Sequence, residues 1–174
     1  MNRSLIVLAL ALAAGCASKE AAGPVPVATA DIRPTAGSQT AGTVRFEQRG
    51  SKVLVSAEVR GLKPGVEHGF HIHEKGDCSA PDAMSAGGHF NPAGKPHGQH
   101  GQNDRHAGDL PSLVASASGT ASLRFETEII TVTPGATSVI DRGIVVHRDP
   151  DDYKTQPTGN SGPRLACGVI AARN

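Results

Sequence analysis

Six histidines and one aspartate stand at spacings that suit two adjacent metal ions: His71, His73, His89, His97, His106, His147 and Asp109. His71 and His73 lie in Gly69-Phe70-His71-Ile72-His73, His89 opens His89-Phe90-Asn91-Pro92, and His147 closes Ile144-Val145-Val146-His147. There is no Cys-x-x-Cys pair, and Met84 is the one methionine nearby. Imidazoles with a single carboxylate and no thiolate favour borderline divalent ions, copper and zinc above all. Alternate side chains of a strand point the same way, so His71 and His73 project from one face roughly 7 Å apart and can converge on one ion. Alone, such a pair is often only polar surface. Here His97, His106 and Asp109 form a second group, and three N and O ligands leave a tetrahedral site one ligand short. His89 lies between the two groups in sequence; its two ring nitrogens could bridge two ions and complete both sites. His147, on a remote strand, would join the His-x-His pair.

The elements that must hold these residues read as strands. Val27 to Arg33 is a first strand, ended by Pro34. Thr43 to Gln48 alternates, with Val44 and Phe46 on one face; after the turn Arg49-Gly50-Ser51, Val53, Val55, Ala57 and Val59 alternate in turn. Two such runs across a short turn predict a hairpin. Further strands are expected through Gly69–His73, Leu113–Ser118, the alternating run Leu123, Phe125, Thr127 and Ile129, then Ile144–His147 and Leu165–Ala171. About eight short strands with turn punctuation indicate an all-β sandwich or barrel. Glu74 to Asp109 has no periodicity, and a loop of that length inside a compact domain is usually functional. His68 and His100 are left over and read as structural or surface residues, with His100 also a candidate auxiliary ligand.

The chain of 174 residues fits one domain plus a leader. A formal charge of +1 gives no electrostatic case for nucleic acid or for a polybasic membrane patch. Residues 1–15 read as a signal segment: Arg3, then an apolar run from Leu5 to Ala14, too short to span a bilayer. Leu12-Ala13-Ala14-Gly15-Cys16 resembles a bacterial lipoprotein cleavage site, with Cys16 lipidated and residues 16–25 a tether to a domain at 26–174. Ordinary signal cleavage, giving a free soluble protein, is the other reading. Three cysteines are an odd count for an exported chain; assigning Cys16 to lipid leaves Cys78 and Cys167 as a disulfide pair in an oxidising compartment.

The runs Gly-Phe-His-Ile-His-Glu, Gly-Gly-His-Phe-Asn-Pro, Arg-His-Ala-Gly-Asp-Leu, Val-Val-His and Arg-Leu-Ala-Cys-Gly-Val-Ile closely resemble the copper–zinc superoxide dismutases, from about residue 26 to the C-terminus. The resemblance implies an eight-stranded Greek-key β-barrel or sandwich with long metal-binding and electrostatic loops. It implies copper at His71, His73, His89 and His147, and zinc at His89, His97, His106 and Asp109. It implies a Cys78–Cys167 disulfide, Asp151 bonded to one histidine of each metal, Arg164 attracting an anionic substrate, and Thr158 narrowing the channel over the copper. His89 would pass a proton to the forming peroxide. Pro157 stands where eukaryotic relatives often carry steering charges, and Lys154 is a candidate replacement.

The expected activity is dismutation of superoxide to dioxygen and hydrogen peroxide. A tethered copper- or zinc-binding storage or delivery module needs only the ligands, and His147, Asp151 and Arg164 together favour the enzyme. A structural domain with lost ligands is set aside because all seven are present. Ala17-Ser18 after Cys16 lacks the Asp that often retains lipoproteins at the inner membrane, so the expected location is the periplasmic side of an outer membrane. The sequence is compatible with a monomer or a homodimer.

Overall fold

The structure is a computed structural model describing residue 23 and residues 25–173. The expected signal segment, Cys16 and most of the tether lie outside the described residues. The strands are β1 (Val27–Pro34), β2 (Ala41–Arg49), β3 (Lys52–Arg60), β4 (Glu67–His68), β5 (Phe70–His73), β6 (Leu113–Val114), β7 (Ala121–Thr127), β8 (Gly143–His147), β9 (Arg164–Val169) and β10 (Ala171–Arg173). One antiparallel sheet of eight strands runs β5-β8-β9-β1-β2-β3-β7, with β10 added against the start of β1; β4 and β6 pair separately. Strand β1 bonds β10 through Val27–Thr29 and β9 through Arg33–Pro34, so its two ends serve different neighbours and the sheet curls strongly around one core.

The hairpin forms where the alternation places it, in a register from Ala41↔Arg60 to Arg49↔Lys52. Val44, Phe46, Val53, Val55, Ala57 and Val59 fill the core with Phe70, Ile72, Ile144 and Ile170. With no tryptophan, β-branched residues carry this interior, and they suit a pleated, half-buried surface. Two elements differ from expectation. The run from Leu113 pairs only through Val114, because Ala115 N–H turns to the Val66 carbonyl and Ser116 N–H to that of Thr120. The last run divides at Ile170, whose N–H leaves the sheet for the Arg142 carbonyl, as β1 changes partner from β9 to β10.

Cys78 and Cys167 are bonded, with Cα atoms 5.8 Å apart and a sequence separation of 89. The bond ties the long loop after β5 to β9, and packs with Ala83, Ala86 and Val145 in a small second cluster. Removing both sulfurs releases a closure of that length. The double variant Cys78→Ala/Cys167→Ala is expected to lose roughly 3–5 kcal/mol of unfolding free energy. Urea unfolding at equilibrium measures this, and an unchanged midpoint would contradict it.

Candidate metal centre

Strand β5 sends Ile72 into the core and His71 and His73 to the opposite side, all three fully buried. One edge of β5 pairs with β8. The other edge is taken by the loop. Ile72 N–H donates to the Gly108 carbonyl (3.0 Å), Phe90 N–H to that of Ile72 (2.8 Å), and Gly108 N–H to that of Phe90 (2.9 Å). Isolated bridges pair His71 with Asp109 and His73 with His89. Each residue of this ring neighbours a candidate ligand, so three distant segments are set in one register. Gly108 must lack a Cβ, which would strike the Ile72 carbonyl. At the end of β8 an irregularity between Val146 and His147 shifts the register, and His147 N–H bonds the Gly69 carbonyl (2.8 Å). Such irregularities re-aim a side chain.

Two groups of ligand atoms result, each within 4.8 Å: His71, His73, His89 and His147, and His89, His97, His106 and Asp109. In the first group the outer nitrogens are engaged. His73 Nδ1–H donates to the Gly87 carbonyl (2.9 Å), His147 Nδ1–H to that of Gly162 (3.1 Å), and His71 Nε2–H to Asp151 Oδ2 (2.7 Å). The inner nitrogens then carry lone pairs. His73 Nε2 and His147 Nε2 face each other at 3.4 Å, and His71 Nδ1 and His89 Nε2 are buried without any partner. Burial holds His73 and His147 well below the usual histidine range and brings His89 to about 4. These three rings are therefore neutral at pH 7. Converging lone pairs cannot satisfy one another; a soft or borderline cation can satisfy all four.

In the second group Asp109 Oδ1 lies 2.9 Å from His89 Nδ1, 3.0 Å from His97 Nδ1 and 3.3 Å from His106 Nδ1. Its Oδ2 accepts the backbone N–H of His106 (2.9 Å) and of Gly98 (3.1 Å). Burial pushes the Asp109 pKa up, but bonds from His106, His89 and His97 outweigh it and hold the group ionised. His89 faces the first group with Nε2 and the second with Nδ1. Asp151 also joins the two groups: Oδ2 takes His71 Nε2–H, and Oδ1 takes His97 Nε2–H (2.9 Å) and the Tyr153 N–H (2.7 Å). Burial alone would lower the His97 pKa, yet Asp109 and Asp151 on its two nitrogens raise it to about 9.

A cleft of about 580 Å³ opens over the first group, lined by His73, His147, Thr158, Arg164, Met84 and Asp82 among others. The Arg164 guanidinium donates to the carbonyls of Ala83 and Gly87, 2.6 Å each. A second groove, about 610 Å³, lies over β1, β9 and the disulfide, and none of the seven ligands lines it.

Of the structural and surface readings open for His68, the structure takes the first: it is fully buried with Nδ1 bonded to the His147 carbonyl at 2.9 Å. His100 belongs to neither ligand group; it is half-buried edge-on against Phe125, 4.8 Å between ring centres. Lys154 is exposed. Gly159 escaped notice: at φ 67 it packs where a Cβ would collide with Asp151 and His97. Only the three-dimensional approach distinguishes it from an ordinary turn glycine.

The family model described as copper/zinc superoxide dismutase (SODC) matches residues 40–170. Superoxide dismutase [Cu-Zn] 2 of Aquifex aeolicus is 41% identical over 133 residues, 74% of this chain and 78% of that protein. Superoxide dismutase [Cu-Zn] of Deinococcus radiodurans is 43% identical over 160 residues, 86% of each chain. Among solved structures, a double mutant of a SOD-like protein from Bacillus subtilis superposes with a TM-score of 0.73 at 35% identity, covering 82% of this chain and 96% of that one.

With its pKa near 9, metal-free His97 holds a proton at pH 7, and a divalent ion bound at Nδ1 displaces it. Ion uptake by the second group is expected to release about one proton per ion at pH 7, declining to none as the pH rises past about 9. Calorimetry in buffers of different ionisation enthalpy reads this directly; pH-independent uptake without proton release would refute it.

Proposed function

The chain belongs to the copper/zinc superoxide dismutase family, and on that premise we propose how its own residues carry out the dismutation of superoxide to dioxygen and hydrogen peroxide. The cofactors are copper and zinc. The four converging lone pairs of His71, His73, His89 and His147 fit copper, because imidazole donors without thiolate suit a metal that cycles between two oxidation states. The three nitrogens and one carboxylate of His89, His97, His106 and Asp109 fit a closed four-ligand zinc site. Bound copper supplies the one-electron exchange with each of two superoxide anions. The two faces of His89 support a bridging role, with Nε2 the atom placed to hold a proton and yield it to the product.

Arg164 presents fixed positive charge to the cleft and orients the anion, and Thr158 narrows the approach. Charge focusing of this kind raises association rates about 10-fold to 1,000-fold. Asp151 sets the ring orientation and tautomer of His71 and His97 together, as carboxylates behind metal-bound histidines do. Every ligand comes from one chain, so a monomer and a homodimer are equally competent. A storage module has no use for a cation in the cleft, and Arg164 therefore argues for turnover.

The leader supports a place for this chemistry. Arg3, the run Leu5–Ala14 and Cys16 support a signal segment over residues 1–15, a lipidated Cys16, a tether at 16–25 and a domain at 26–174 facing the periplasm from an outer membrane. Superoxide, an anion, crosses membranes poorly, so an exported enzyme meets the superoxide that arises outside the cytoplasm.

The single observation that carries the reading is the pair of ligand groups sharing His89 beneath a cleft with one arginine. Pulse radiolysis on the copper- and zinc-loaded protein is expected to give rapid superoxide decay that disappears on copper removal; no acceleration at full occupancy would sink the enzyme reading. His147→Ala is expected to fold and lose turnover by several orders of magnitude, and full activity in that variant would overturn the copper assignment. Cys16→Ser is expected to move the protein from the membrane to the soluble fraction of an expressing cell; unchanged membrane association would rule out the anchor.

A further inference from the structure

The segment that carries His97 has little backbone support. Between residues 91 and 106 the backbone–backbone hydrogen bonds that do not involve the ligand His106 are two local turns, Gly94 N–H to the Asn91 carbonyl and Gln102 N–H to that of Gln99. No sheet ladder reaches it. His97 is nevertheless held at both backbone polar groups by one distant side chain. Its N–H donates to Gln156 Oε1 (2.8 Å), and Gln156 Nε2 donates to its carbonyl (3.0 Å). The same Nε2 also reaches the Lys154 carbonyl at 3.3 Å. These partners fix the orientation of the amide, since the reversed group would set its oxygen against two carbonyls and its N–H₂ against an N–H.

We propose that Gln156 is a positioning residue of the metal centre: its amide, paired with the His97 backbone, sets where the His97 ring stands in the second ligand group. The inference rests on the assignment of zinc to His89, His97, His106 and Asp109. Asp151 steers the ring from its Nε2 side; Gln156 fixes the backbone from which the ring extends. The two act from one short stretch of the loop between β8 and β9. That loop also supplies Thr158 to the cleft. A residue this exposed adds little to the core, so its effect belongs in the metal site.

The test uses the loaded full chain and Gln156→Met, which keeps length and removes both hydrogen bonds. Zinc is withdrawn with a chromophoric chelator, and cobalt(II) exchanged into the zinc site reports ligand geometry through its visible bands. Loss of a partner behind a metal ligand typically weakens binding 10- to 100-fold. The expected result is at least a 10-fold loss of zinc affinity and shifted cobalt bands, with the thermal midpoint of the metal-free protein retained. Gln156→Ala, which removes both hydrogen bonds with less bulk, is the second variant should the first not fold, and is expected to show the same loss of zinc affinity. Zinc affinity within two-fold of the parent and an unchanged cobalt spectrum in a folded variant overturn the positioning role. A parent chain that takes up no zinc at all overturns the zinc assignment along with it.

Discussion

The metal centre hangs on a ring of three backbone hydrogen bonds among Ile72, Phe90 and Gly108. Metal ligands must be placed to within fractions of an ångström, yet four of the seven lie on a loop without regular structure. The ring transfers the order of β5 into that loop. Ile72 contributes both polar groups on the edge that β8 leaves free, and the residues beside each junction then face a common volume. Backbone groups buried this deeply must be paired, so the same bonds that satisfy the loop also specify the site. A side chain at position 108 would break the closure, which makes this glycine as determining as any ligand.

Around that frame the charges divide unevenly. The first group contains histidines alone, and burial keeps three of them neutral. The second has Asp109, and Asp151 stands between the two with one oxygen for each. Buried polar groups without partners cost about 1–3 kcal/mol each, and the first group has several lone pairs in that condition. The folded chain therefore carries a local penalty that cation binding relieves, which couples metal uptake to stability.

Much of this was legible in the chain. Period-two alternation located the β2–β3 hairpin because one face is buried and the other wet. The spacing of the histidines announced a metal site because few other demands concentrate imidazole so densely. For His68 the choice between a structural and a surface place stayed open: nothing local distinguishes a histidine that bonds a backbone carbonyl inside the fold from one at the surface. The division of the last strand at Ile170 depends on which neighbour β1 bonds, and is a property of the closed sheet. Gly159 and Gln156 each meet His97 across more than 50 residues, where a glycine or an amide in a polar loop carries no distinguishing pattern.

Arg164 spends its hydrogen bonds on two backbone carbonyls and, among the described residues, on no carboxylate. The guanidinium is thereby held by neutral partners, with Asp82 in the same cleft but outside ion-pair distance. An arriving anion finds the cation already oriented, with no side chain to reorganise and no internal ion pair to break. The carbonyl of Gly87 that holds Arg164 also fixes the ring of His73, so the attracting charge and a floor of the cleft share one mechanical reference.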